Sequence, residues 1–239
     1  MSKAVYNKDM KKWLVLVFIS YFLLPTTISA QEIDLLWQGG TYVPPFYKGL
    51  PLWSKQSKIT FVAIPQGLGN PANLNYKWTK NGTVLGNISG VGKNSISFFD
   101  PVISRPQTIV VEIVTNEDDV LASAVLTVVS TPPVLVVYEN NPLYGFMFHR
   151  ETSGVHELQG QEVTFTAFPL FFSAVGRMDS FLEYKWQTNV GEAEARNSVT
   201  YRSPDDVSGS SEVQASIVNT KRILQDARNS FLIKFGNNE

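Results

Sequence analysis

Apolar positions alternate with polar ones in two stretches that echo each other along the chain. Leu74, Tyr76 and Trp78 take turns with Asn75, Lys77 and Thr79, and Leu182, Tyr184 and Trp186 take turns with Glu183, Lys185 and Gln187. A period of two puts the large side chains on one face of a half-buried strand. Each stretch follows another run of the same period that ends in proline, Ile59 to Pro65 and Val163 to Pro169. The echo continues. Asn94-Ser95-Ile96 is answered by Asn197-Ser198-Val199, Ile109, Val111 and Ile113 by Val213, Ala215 and Ile217, and Ala124, Leu126 and Val128 by Phe231, Ile233 and Phe235. The leading runs Leu35-Leu36-Trp37 and Val134 to Tyr138 match in the same way. About seven short strands over roughly a hundred residues predict an antiparallel sandwich, and the pattern occurs twice. The fold expected is all-β, two tandem antiparallel β-sandwiches over residues 31–131 and 132–239. Thr131-Pro132-Pro133 marks the boundary, since consecutive prolines stop strand pairing and stiffen a linker.

Between the strands, Asn81-Gly82 is a two-residue hairpin signal. It is also part of a glycosylation acceptor, as is Asn87-Ile88-Ser89, and the turn is the favoured reading. Glu117-Asp118-Asp119 reads as a polar hairpin tip, Leu170 to Ser180 as a lengthened loop, and Ile223 to Ala227 as a short helical turn. Tyr76, Trp78, Tyr184 and Trp186 are expected in the two cores. A tryptophan on a central strand, with the run Tyr76 to Gly82 around it, resembles the middle of immunoglobulin-like and PKD-like modules of bacterial surface proteins. The paired layout with Glu139 to Gly145 also resembles exported bacterial proteins built from two such modules. The resemblance implies architecture and no activity. The sequence departs from those patterns: no cysteine pair brackets either tryptophan, no tyrosine corner stands out, and no Phe-Gly-Asp-Gly run follows Trp78 or Trp186.

The first thirty residues do not alternate. Lys11-Lys12 precedes the apolar run Trp13 to Leu24, followed by Pro25 and a small residue at Ala30. A basic start, a short apolar core and a small residue at the end describe a secretory signal cut after Ala30. An uncleaved membrane anchor over 13–30 is the other reading, and either one exports the remainder.

Composition adds exclusions. The chain has 239 residues, 44% hydrophobic and 12% aromatic, enough for packed cores. Without the four lysines and one aspartate of the leader, its formal charge moves from −1 to −4. Nothing there attracts nucleic acid or an anionic membrane. Cysteine is absent, which removes disulfides, thiolate metal sites and thiol nucleophiles.

Candidate chemistry is sparse. His149 and His156 are the two histidines, and with Glu151 and Glu157 they reach a metal geometry only through a folded-back loop; surface histidines are the simpler reading. No nucleophile elbow, metalloprotease helix or phosphate-cradling loop occurs, so neither catalytic residues nor a cofactor or metal is expected. Glu117 to Asp119 could hold calcium, but a solvated tip explains the acids as well. Lys221 and Arg222 stand at the corresponding tip of the second module, where opposite charge suggests head-to-tail pairing or plain surface variation. The leading aromatic stretch Trp37, Tyr42, Phe46, Tyr47 and Trp53 is the candidate contact surface, for a sugar ring or a protein partner. The second module keeps Tyr138, Tyr144, Phe146 and Phe148 in its own lead, which favours a structural lid. The function expected is a non-catalytic cell-surface or envelope module that spaces or docks other components. The alternative is a carbohydrate-binding or adhesion module, and the partner is an unidentified protein or polysaccharide of the envelope.

Overall fold

The computed structural model describes residues 31–236 apart from 190, 192, 193, 204 and 206. The signal or anchor expected over 1–30 lies outside the described residues. The first module is built from β1 (Glu32–Gly40), β2 (Lys58–Gln66), β3 (Asn75–Lys80), β4 (Thr83–Val84), β5 (Gly90–Val91), β6 (Ser95–Phe99), β7 (Gln107–Val114) and β8 (Val120–Val128). One sheet has the order β1-β2-β6, the other β4-β3-β7-β8 with β5 also on β3. The second module comprises β9 (Val134–Asn141), β10 (Gly145–Phe146), β11 (Gly154–Glu157), β12 (Glu162–Leu170), β13 (Leu182–Thr188), β14 (Ser198–Arg202), β15 (Gly209–Asn219) and β16 (Asp226–Phe235). Its sheets run β10-β9-β12-β14 and β11-β16-β15-β13. Among the described residues no helix is long and apolar enough to cross a membrane. The chain is all-β, two tandem sandwiches of immunoglobulin-like form.

Two separate cores follow from the two sets of alternating strands. Ile59, Phe61, Ala63, Tyr76, Trp78, Ile109, Val111 and Ile113 pack in the first, and Phe165, Ala167, Tyr184, Trp186, Val213, Ala215 and Ile217 in the second. The likeness reaches hydrogen bonds that alternation alone does not dictate. The indole N–H of Trp78 donates to Lys93 O at 2.7 Å, and that of Trp186 to Arg196 O at 2.8 Å. The Tyr76 hydroxyl donates to Pro71 O and the Tyr184 hydroxyl to Arg177 O. Ala63 N–H meets Asn94 O, and Ala167 N–H meets Asn197 O. Alternation then turns the nitrogens of Pro65 and Pro169 to the same side, past the ends of β6 and β14, where a missing N–H leaves no ladder bond unmade.

One pairing departs from the antiparallel plan, and one expectation changes. The sandwich is not wholly antiparallel: β11 runs parallel to β16, from Gly154 opposite Phe231 to Glu157 opposite Lys234. The leading chain starts in one sheet on β12, crosses to the other, and there runs beside the closing strand in its own direction. The first module repeats this as a single parallel bridge, Ser54 with Thr131. Residues 223–227 are not a helical turn, because a short turn closes the β15–β16 hairpin and β16 begins at Asp226. Asn81-Gly82 does form the hairpin turn. Both residues have positive φ, 50° and 80°, as a two-residue turn matched to strand twist requires, and Thr79 pairs with Val84 across it.

Candidate functional site: the joint between the modules

The leading segment of the first module leaves β1 through a narrow passage. Gly39 N–H donates to Pro51 O at 2.7 Å, and a Cβ on Gly39 would run into the Leu52 carbonyl. Residues 41–57 therefore fold back as a strap across the end of the sandwich, and the strap reaches the second module. Tyr42 N–H donates to Phe172 O, and Phe171 N–H donates to Tyr42 O, both at 2.8 Å. The Phe46 ring stacks on Phe148 with centroids 3.6 Å apart and meets Tyr138 and Phe168 edge-on at 5.8 and 5.6 Å. Phe146 meets Phe168 edge-on at 5.3 Å, and the Arg177 guanidinium covers both rings at 5.0 and 5.1 Å. Edge-to-face rings under a guanidinium gain from both the quadrupole and the charge. Tyr47 meets Phe171 edge-on at 5.7 Å.

A polar clamp lies beside the rings. Gln225 is buried in the β15–β16 turn, and its Nε2 faces Lys55 O at 2.8 Å, Ser173 Oγ at 2.9 Å and Ser54 Oγ at 3.2 Å. Its Oε1 accepts from Ser173 N–H and Asn219 Nδ2. Leu224 N–H donates to Gln56 Oε1 at 2.8 Å, while Gln56 N–H donates to the buried Asp100 carboxylate. Arg222 sits 5.2 Å over the Phe99 ring of the first module. A buried amide with both ends satisfied is costly to disrupt, since either fragment would be left unpaired.

The backbone records the same constraint. Among the described residues four non-glycines have positive φ: Gln56, Asn81, Asp118 and Phe171. Asn81 and Asp118 occupy hairpin turns, where such residue types tolerate the conformation. Gln56 and Phe171, at 58° and 65°, belong to the joint. Each costs on the order of 1–3 kcal/mol and persists only where its surroundings over-determine it.

The predicted contact residues divide between these settings. Tyr42, Phe46 and Tyr47 touch the second module. Trp37 is half-buried against the first core. Trp53 is wholly buried, its indole N–H donating to Ser57 O at 3.3 Å and its ring edge-on to Phe98. Tyr76, Trp78, Tyr184 and Trp186 are all buried. Burial pushes the Tyr42 hydroxyl pKa up, opposed by Arg177, and pushes that of Tyr201 up to about 12.

His149 is exposed, whereas His156 is not a surface residue: it lies buried in β11, edge-on to Phe165 at 5.1 Å. Burial holds its pKa below the usual value against the opposing pull of Glu139, whose carboxylate is 3.9 Å away. Lys221 and Arg222 lie over the rings of Phe181 and Phe99. At the acidic tip the Thr115 hydroxyl accepts from Glu117 and Asp119 N–H. Among the described residues no group of three or more His, Cys, Asp or Glu converges to hold a metal. Phe171, Gln56 and Gln225 carry no sequence signal. Phe148 did, through the aromatic lead that the two copies share.

No family model and no curated protein matches the chain. Solved structures give distant likenesses. The three N-terminal domains of the bacteriophage RB49 outer capsid protein Hoc are 16% identical, covering 86% of this chain and 59% of that one at a TM-score of 0.41. Fibronectin(III)-like modules of Clostridium thermocellum CbhA are 12% identical, covering 83% and 93% at 0.28. The mouse nectin-like molecule 4 ectodomain is 10% identical, covering 87% and 65% at 0.28. This chain thus spans under two thirds of the first. The fold assignment rests on the strand order and the two matched cores: tandem immunoglobulin-like sandwiches joined by a strap.

Proposed function

We propose that the chain is an exported, non-catalytic module that spaces and docks other components of a cell envelope, with the strap holding its two sandwiches as one rod. The observation that carries this reading is the joint, where stacked rings and a buried glutamine tie the modules together beyond the Pro132-Pro133 linker. Rod shape is supported by where the strands run. β1 ends at the strap and β16 begins just after Gln225, so the nine residues of β1 and the ten of β16 each lead away from the joint, one into each module. At about 3.3 Å per residue, each of these strands is roughly 30 Å long. Export rests on the basic, apolar and small-residue pattern ahead of Gln31.

Small-angle X-ray scattering of the 31–239 chain tests the spacer. The expected result is a single extended shape that Phe46→Ala combined with Gln225→Ala broadens into a range of inter-module angles. A wild-type chain already spread over many angles would refute the reading. Terminal sequencing of the exported protein should return Gln31. The carbohydrate alternative predicts retention on polysaccharide that Trp37→Ala abolishes; the spacer reading predicts no such dependence.

A further inference from the structure

The two modules treat the outer edge of their tryptophan strand differently. In the first, the edge of β3 is covered along its length. Tyr76 pairs with Gly90 and Asn75 with Val91, Trp78 N–H donates to Ser89 Oγ and Trp78 O accepts from Leu85 N–H, and β4 takes Thr79 and Lys80. In the second, Glu194 exchanges both backbone bonds with Trp186, and the chain then departs into β14. Ladder alternation turns the N–H and C=O of Tyr184 to the same open side as those of Trp186. Among the described residues nothing pairs with them.

A groove of about 1140 Å³ lies over that bare edge, lined by Met178, Leu182, Tyr184, Lys185, Glu194 and Arg196 among others. Its rim carries charge that no described residue pairs. Lys77 in the first module reaches Glu112 across the sheet at 3.8 Å. Its counterpart Lys185 stands opposite Ser216, and Glu183 stands opposite Val218, so the described residues give neither an ion pair. Two opposite charges therefore flank the open Tyr184 position on the exposed face.

We propose that this edge of β13 receives an extended strand from a partner protein, added antiparallel beside Tyr184, with an acidic residue against Lys185, a small residue against Tyr184 and a basic residue against Glu183. This is strand addition, in which main-chain bonds hold the guest and alternate side chains select it. The first module shows the geometry internally, since Gly90 lies opposite Tyr76 in the equivalent place. Glu194, already on Trp186, stops the guest there, which disfavours a second copy pairing along the whole of β13. The inference rests on the docking half of the proposed function and names the edge that does it.

The test is a nuclear magnetic resonance titration of the 31–239 chain with the N-acetylated synthetic peptide Glu-Gly-Lys-Val-Thr, which ends short of the Trp186 position that Glu194 fills. Shifts are expected at Leu182 to Trp186 and Glu194 to Ser198, with slowed exchange of the Tyr184 amide and none at Tyr76. The peptide with Glu and Lys exchanged should bind about fivefold more weakly. Glu183→Lys with Lys185→Glu, both exposed, should invert that preference. Absent shifts at β13, or equal binding of the two peptides, would overturn the proposal. Concentration-dependent protection of Tyr184 without peptide would also overturn it, in favour of a second copy. Loss of peptide binding in a chain that scatters as a rigid rod sinks only this inference, whereas a flexible rod that still binds peptide sinks only the spacer.

Discussion

Trp78 and Trp186 each do two jobs, filling a core and donating an indole hydrogen to the carbonyl just before the Asn-Ser strand entry. Replacing either by alanine removes the volume and orphans that carbonyl, at a cost of about 3–5 kcal/mol, measurable by denaturant unfolding. Replacement by phenylalanine should cost less, because most of the volume stays. His156 gives a pH signature. Its folded pKa is depressed by burial, so below about pH 6.5 the unfolded chain binds a proton that the native chain resists. Its contribution is complete above that value and is lost as pH falls from there toward the folded pKa. His156→Gln, which cannot be charged, should flatten unfolding stability between neutral pH and pH 5. Glu139 and Arg150 act on the same imidazole in opposite senses, so variants of either should move the window.

Among the elements, the Asn81-Gly82 hairpin is the best defined. Gly82 has φ of 80° and open space around the position of a Cβ, so Gly82→Ala meets no clash and pays only the backbone term, about 1 kcal/mol in thermal or denaturant unfolding. Strands were the legible part of the sequence, because burial on one face writes a period of two directly into residue type. β3 and β13, β7 and β15, and the proline-ended β2 and β12 could each be read that way. β11 could not: Gly154–Glu157 is four residues long, and its parallel partner is fixed by where the chain crosses between sheets. Ile223 to Ala227 reads as a short helical turn in sequence, yet the closure of Asn219 on Gln225 sets a hairpin there.

For the whole molecule, the strap couples two cores that alternation described separately. Phe46→Ala should lower the joint's contribution by about 1–3 kcal/mol, less than a core value because the residue is only partly buried. Calorimetry should then resolve one coupled transition into two. The aromatic lead was visible in sequence as a cluster, but its destination was not, since contacts between distant segments leave no local period. Gln225 and Phe171 are plainer cases, a polar side chain in a turn and a strained backbone whose reasons lie in the other module.

The strap also sets an order of assembly. Synthesis delivers the first module before the second, so Phe46 and Tyr47 emerge without Phe148, Phe168 and Phe171 to cover them. Until residues 134–172 follow, the nascent first module carries a bare aromatic flank, and until Leu224 follows, Gln56 lacks the N–H that holds its turn. A chain truncated after Thr131 should therefore fold its core yet aggregate readily. The second module serves the first as an intramolecular chaperone that never leaves.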